Sequence, residues 1–141
     1  MRIDECLEKG LIKRDPRASE RVESSLKTAE RFLHSAERNL EIEEHEMAEI
    51  AAYNSAFHSA RALLFSKGYV ERSHYCLGAA LRDLYSGKIV DLLNTFDKIR
   101  LSRHNVQYGG SLVDRDEAEF VVQFARKFLD AAKTELLMDN E

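Results

Sequence analysis

The sequence predicts an all-α fold, an up-and-down bundle of four or five helices. Three observations support this. With one Pro and six Gly in 141 residues, the chain has few points at which a long helix must stop. Apolar residues recur at three- and four-residue intervals along nearly its whole length, the repeat of a helix face. Capping and stopping residues stand between those runs, at Asp15-Pro16, Gly68, Ser73, Gly109-Gly110 and Asp114. The length suits one domain, with residues 15–141 as the helical body and residues 1–14 as an extension or a short extra helix.

The first long helix is expected to begin near Asp15. Asp15 can cap, and Pro16 suits a first helical position because its missing N–H would have no partner there. Val22, Leu26, Ala29, Leu33, Ala36 and Leu40 then form one stripe, and EIEEHE (41–46) makes a polar connection. The second helix runs from about Glu46 to Lys67, with Gly68 as its stop. It is rich in Ala and Ser, and Arg61 is its one formal charge between Ile50 and Ser66, so it reads as the central, closely packed element. Ser73 caps a third helix. A fourth spans roughly Lys88 to Tyr108 and ends at Gly109-Gly110. Asp114 and Glu117 have capping-box spacing for a fifth.

Composition bounds the function. A net charge of −4 argues against a broad basic surface that coats nucleic acid, but leaves room for a local basic site. The two cysteines, Cys6 and Cys76, form no CxxC pair and are expected as reduced thiols in a cytoplasmic protein. No membrane span is expected. His45 lies among Glu41, Glu44 and Glu46, but no second His or Cys joins it, so neither a metal nor a cofactor is implied. Phe120, Phe124 and Phe128 read as core or interface residues.

One segment departs from the acidic average. RLSRHNVQYGG (100–110) carries Arg100, Arg103, His104, Gln107 and Tyr108, and no acidic residue occurs from Lys98 to Val113. On the fourth helix the apolar stripe is Ile89, Leu92, Leu93, Phe96 and Ile99. Continuing its phase leads to Arg100, Arg103, His104 and Gln107. With Tyr108 these fall within an arc of about 140°. The cluster therefore follows the buried seam, where an unpaired cation is costly. Either the helix breaks near Ser102, or acidic side chains pair with Arg100 and Arg103 inside the bundle, or the seam opens into a cleft that takes an anion. Arg suits phosphate through its planar fork of donors, His exchanges a proton near neutral pH, and Tyr can stack on a base. Asn54, His58 and Arg61 share one face of the central helix. They form either a second wall of such a cleft or a set satisfied within the bundle. His74 is expected to be solvated or capping at the start of the third helix.

Two stretches carry a family resemblance. MAEIAAYNSAFHSARALLFSKGYVERSH (47–74) and RHNVQYGG (103–110) resemble the HEPN domain family, in particular its small stand-alone prokaryotic members, over about Arg17 to Leu137. The resemblance implies a homodimeric helical bundle with an RNase-type motif of Arg, four to six residues, then His, lining a cleft between subunits. It implies cleavage of RNA without a metal ion, roles as toxins or in phage defence, and a small nucleotidyltransferase as partner. By position, Arg103 matches the motif Arg and His104 the polar residue after it, which makes these two the catalytic candidates. Arg100, Asn105, Gln107 and Tyr108 complete the candidate binding set, and Tyr108 resembles the tyrosine to which such a partner attaches nucleotide. The sequence departs from the motif because no His follows residue 104. The site is then degenerate, or His104 substitutes from one turn earlier. The two functional expectations are an RNA- or nucleotide-binding module with endoribonuclease activity, and a non-catalytic partner of a nucleotidyltransferase.

Overall fold

A computed structural model describes residues 2–85, 87 and 89–139. In chain order its elements are α1 (Ile3–Glu8), β1 (Ile12–Arg14), a 3-10 turn (Ala18–Arg21), α2 (Val22–Glu41), α3 (His45–Ser66), β2 (Tyr69–Glu71), α4 (His74–Tyr85), α5 (Val90–Gly109) and α6 (Arg115–Asp139). The all-α class holds. The expected start of the fourth helix at Lys88 lies outside the described residues.

The least polar helix takes the centre. α3 packs chiefly against α2 and α6, and also meets α4 and α5. Ala48, Ala52, Ala56 and Ala60 are fully buried, and their small side chains let neighbouring backbones approach closely. Its buried hydroxyls are satisfied: Ser55 Oγ donates to the Ala29 carbonyl (2.8 Å) and Ser59 Oγ to that of Ser55 (3.0 Å). The α2 stripe supplies Ala29, Leu33 and Ala36 to the core. α5 and α6 add Phe96, Phe124 and Phe128, whereas Phe120 points outward.

The element ends follow the local chemistry. α3 and α5 are followed by Gly68 (φ +84) and Gly110 (φ +75), left-handed positions that disfavour a side chain. Ser73 Oγ accepts from the Cys76 N–H (3.2 Å), and Asp114 Oδ1 from the Glu117 N–H (2.8 Å), so both predicted caps form.

Three expectations are corrected. The first long helix begins at Val22, not near Asp15. The Asp15 N–H donates to the Gly68 carbonyl (2.9 Å), and Asp15 Oδ1 accepts from the Arg17 N–H (2.9 Å), which holds the chain in a turn. Second, β1 and β2 form an antiparallel ribbon, with Ile12 opposite Glu71 and Arg14 opposite Tyr69. Third, Cys6 and Cys76 are joined in a disulfide rather than reduced. α1 lies against α4, where the Ile3 N–H donates to Asp83 Oδ2 (2.8 Å), and this brings the two Cα atoms to 5.9 Å, within disulfide reach. Among the described residues no helix is long and apolar enough to cross a membrane.

Candidate functional site

α5 runs unbroken through Ser102, so the cluster is not turned outward by a kink. Leu93, Phe96 and Ile99 are buried as the seam requires. Past Ile99 the seam becomes half-exposed. Arg100 and Arg103 are half-buried, while His104, Gln107 and Tyr108 are exposed. Together with His74 and Leu101, Arg100, Arg103, His104 and Tyr108 line an open pocket of about 520 Å3. Asn105 is exposed and does not line it.

Internal pairing is overturned by the same geometry. Among the described residues neither Arg100 nor Arg103 forms an ion pair with a carboxylate. The Arg103 guanidinium lies over the Tyr53 ring, 4.5 Å from its centre, and its Nη1 donates to Gln107 Oε1 (3.1 Å). Arg100 lies over Tyr75 at 5.9 Å. The Nε atoms of both arginines are buried without a hydrogen-bond partner. Ring faces and one amide offset part of the burial cost of a cation, but donors remain unmet. The seam opens into a basic pocket.

A buried carboxylate on α3 serves another group. Glu49 on α3 is fully buried, and Ser102 Oγ donates to its Oε1 (3.3 Å). Burial, reinforced by Glu117, pushes its carboxyl up to about 7, so near neutral pH it carries only part of a negative charge.

His74 is the residue whose place the local sequence reading missed. Instead of being solvated, it is half-buried as the first residue of α4. Its ring stacks on Phe57 (4.3 Å between centres) and Tyr53 (5.9 Å), and its Nδ1 lies 2.6 Å from Tyr53 Oη. Burial lowers its pKa, and the charges of Arg103, Arg100 and Arg61 push the same way. Burial raises the Tyr53 phenol, against the opposing pull of Arg103, so it stays protonated at neutral pH. A signal was present, since Tyr53 and the Ser73-His74 pair both lie within the stretch resembling the family's second helix. Their mutual approach depends on how α4 docks on α3, which no local pattern encodes.

The other candidates are placed elsewhere. Arg61 Nε lies 2.6 Å from Glu71 Oε1 on β2, and its guanidinium sits 5.0 Å from the Phe65 ring centre. Burial raises the Glu71 carboxyl, with Arg61 partly offsetting this. His58 stacks on Phe32 (5.6 Å), and burial lowers its pKa. Asn54 is half-buried on the same helix. None of these three lines the Arg103 pocket. Among the described residues no group of three or more His, Cys, Asp or Glu is placed to hold a metal ion.

A family model described as the HEPN domain matches residues 22–136. No curated protein matches the chain.

Proposed function

The chain belongs to the HEPN domain family, and from that premise we propose that it binds RNA at the Arg100–Arg103 pocket and cleaves it without a metal ion. Membership supports a nucleotide- or RNA-related module at the coarser level. What carries the finer reading is a pair of half-buried guanidiniums, without a carboxylate partner among the described residues, that line one open pocket. A phosphodiester in the pocket supplies the negative charge that no carboxylate provides, and its oxygens suit the fork of a guanidinium. Arg103, assisted by Arg100, holds the phosphate and stabilises charge that grows as the phosphorus is attacked. His104 and Tyr108 stand at the rim, their ring centres 5.1 Å apart, where a base or ribose would lie. Two copies of the chain would place two such pockets across one cleft, in the cytoplasm where RNA substrates occur, in a toxin or defence role.

The test is cleavage and binding of a single-stranded RNA by the intact protein and by Arg103→Ala. Loss of one transition-state donor lowers cleavage by about 10²- to 10³-fold. Equal activity and equal binding in both proteins would remove the reading.

A second reading rests on Tyr108, which is 66% exposed. An accessible phenol beside the pocket fits modification by a nucleotidyltransferase partner, with the module itself non-catalytic. Co-expression with such an enzyme, followed by intact-mass measurement, would show added nucleotide that is absent from Tyr108→Phe.

A further inference from the structure

We infer that His74, held by Tyr53, is the general base of the pocket and takes the place of the histidine missing after Arg103. This rests on the RNA-cleaving reading above. Four observations lead to it. His74 lines the same pocket as Arg100 and Arg103 although it stands on a different helix. Tyr53 ties them together, since one phenol ring carries the Arg103 guanidinium on its face (4.5 Å) and the His74 Nδ1 at its hydroxyl (2.6 Å). The His74 ring is held against both Phe57 and Tyr53, whereas His104 is exposed beside the Tyr108 ring. Nδ1 is occupied by Tyr53, and Nε2 has no hydrogen-bond partner among the described residues.

The chemistry follows from the tautomer. The 2.6 Å contact accommodates either direction, and in the tautomer whose Nδ1–H donates to Tyr53 Oη the Nε2 lone pair is free to accept a proton, which is the tautomer the proposal requires. The groups facing His74 are Tyr53 and Arg61 from α3, and Arg100, Arg103, His104 and Tyr108 from α5. Burial, with the arginine charges adding to it, keeps the imidazole neutral in the free protein, as a base must be. A bound phosphate offsets the arginine charges, which makes the imidazolium tolerable at the moment it forms. His74 Nε2 then takes the ribose 2′-hydroxyl proton. The 2′-oxygen lone pair forms the new O2′–P bond as the P–O5′ bond breaks. The 5′-oxygen leaves with that electron pair and takes a proton from His104 or water. The products are a 2′,3′-cyclic phosphate and a 5′-hydroxyl, with no water consumed.

The experiment compares intact protein, His74→Ala, Tyr53→Phe and Arg103→Ala on one single-stranded RNA, with folding of each followed by circular dichroism. His74→Ala is expected to lose about 10²-fold or more, chiefly in kcat, and added imidazole should restore at least about tenfold by entering the vacated space. A rescued rate whose acid limb follows the added imidazole separates a proton acceptor from a packing residue. Tyr53→Phe keeps the ring under Arg103 but removes the hydroxyl, and a loss of about tenfold in kcat is expected even if His74→Ala does not fold. His74→Ala that cleaves like the intact protein, Tyr53→Phe with unchanged kcat, or Arg103-dependent RNA binding without any cleavage overturns His74 as base while leaving RNA recognition standing. RNA binding that is absent or indifferent to Arg103→Ala removes the recognition reading itself.

Discussion

Arg61 and Arg103 solve the same problem in opposite ways. Both are half-buried, and both lay a guanidinium over aromatic rings, Phe57 and Phe65 for one and Tyr53 for the other. Arg61 also has a carboxylate, Glu71, from the β-ribbon. Arg103 has the Gln107 amide and, among the described residues, no carboxylate. One arginine is therefore internally neutralised, and the other is left with donors for an external anion. Residue type and burial alone would not separate a structural arginine from a binding one. The presence or absence of a carboxylate does.

Removing each cation breaks the comparison most strongly. Arg61→Met strands the Glu71 carboxylate, whose side chain is 6% exposed, and is expected to cost about 3 kcal/mol near pH 8. The abandoned carboxyl has its folded pKa raised further, so stability is retained at low pH and lost as pH rises through that value. Arg103→Met strands no carboxylate and is expected to cost less than about 1 kcal/mol. Urea unfolding at pH 4 and pH 8 checks both, and equal costs for the two variants would refute the contrast.

Giving Arg103 the partner it lacks is the converse experiment. In Gln107→Glu a carboxylate replaces the amide that already meets Arg103. RNA affinity should fall by about tenfold or more, because the new charge occupies Arg103 and repels phosphate. Fluorescence anisotropy with labelled RNA reads this directly, and unchanged affinity would argue that Arg103 does not contact the phosphate.

Glu49 provides the most pH-dependent test. If its proton is shared near neutral pH, Glu49 does little to neutralise the arginine pocket. Its folded pKa, raised from 4.5 to about 7, contributes stability below 4.5 that is lost as pH rises through 7. Glu49→Gln removes that loss, so it should gain about 3 kcal/mol more at pH 8 than at pH 4. Thermal melts across pH show it, and a pH-independent difference would mean that Glu49 is already ionised in the fold.

Much of the fold was legible because the signals are local. Gly68, Gly110, Ser73 and Asp114 mark helix ends through their own backbone needs, and the Ala-rich run marks the central helix through its steric profile. The candidate cluster was legible through phase, since Arg100 and Arg103 follow Phe96 and Ile99 on one face. What escaped depends on distant pairings. The ribbon strands are three residues each and lie more than fifty residues apart, too short for a periodic signature. The cysteines are separated by 70 residues and meet only because α1 docks on α4. His74 reaches the pocket through the packing of α4 against α3, so its short spacing after Gly68 concealed its role.

The Cys6–Cys76 bond also reroutes force. The covalent path between the chain ends passes through that bond and bypasses α2 and α3 entirely. A pull on the termini would load α4, α5 and α6 while the two helices inside the covalent ring carry no tension along their backbone. The fully stretched oxidised chain would be shorter than the reduced one by about 240 Å, the contour of the residues held in the ring.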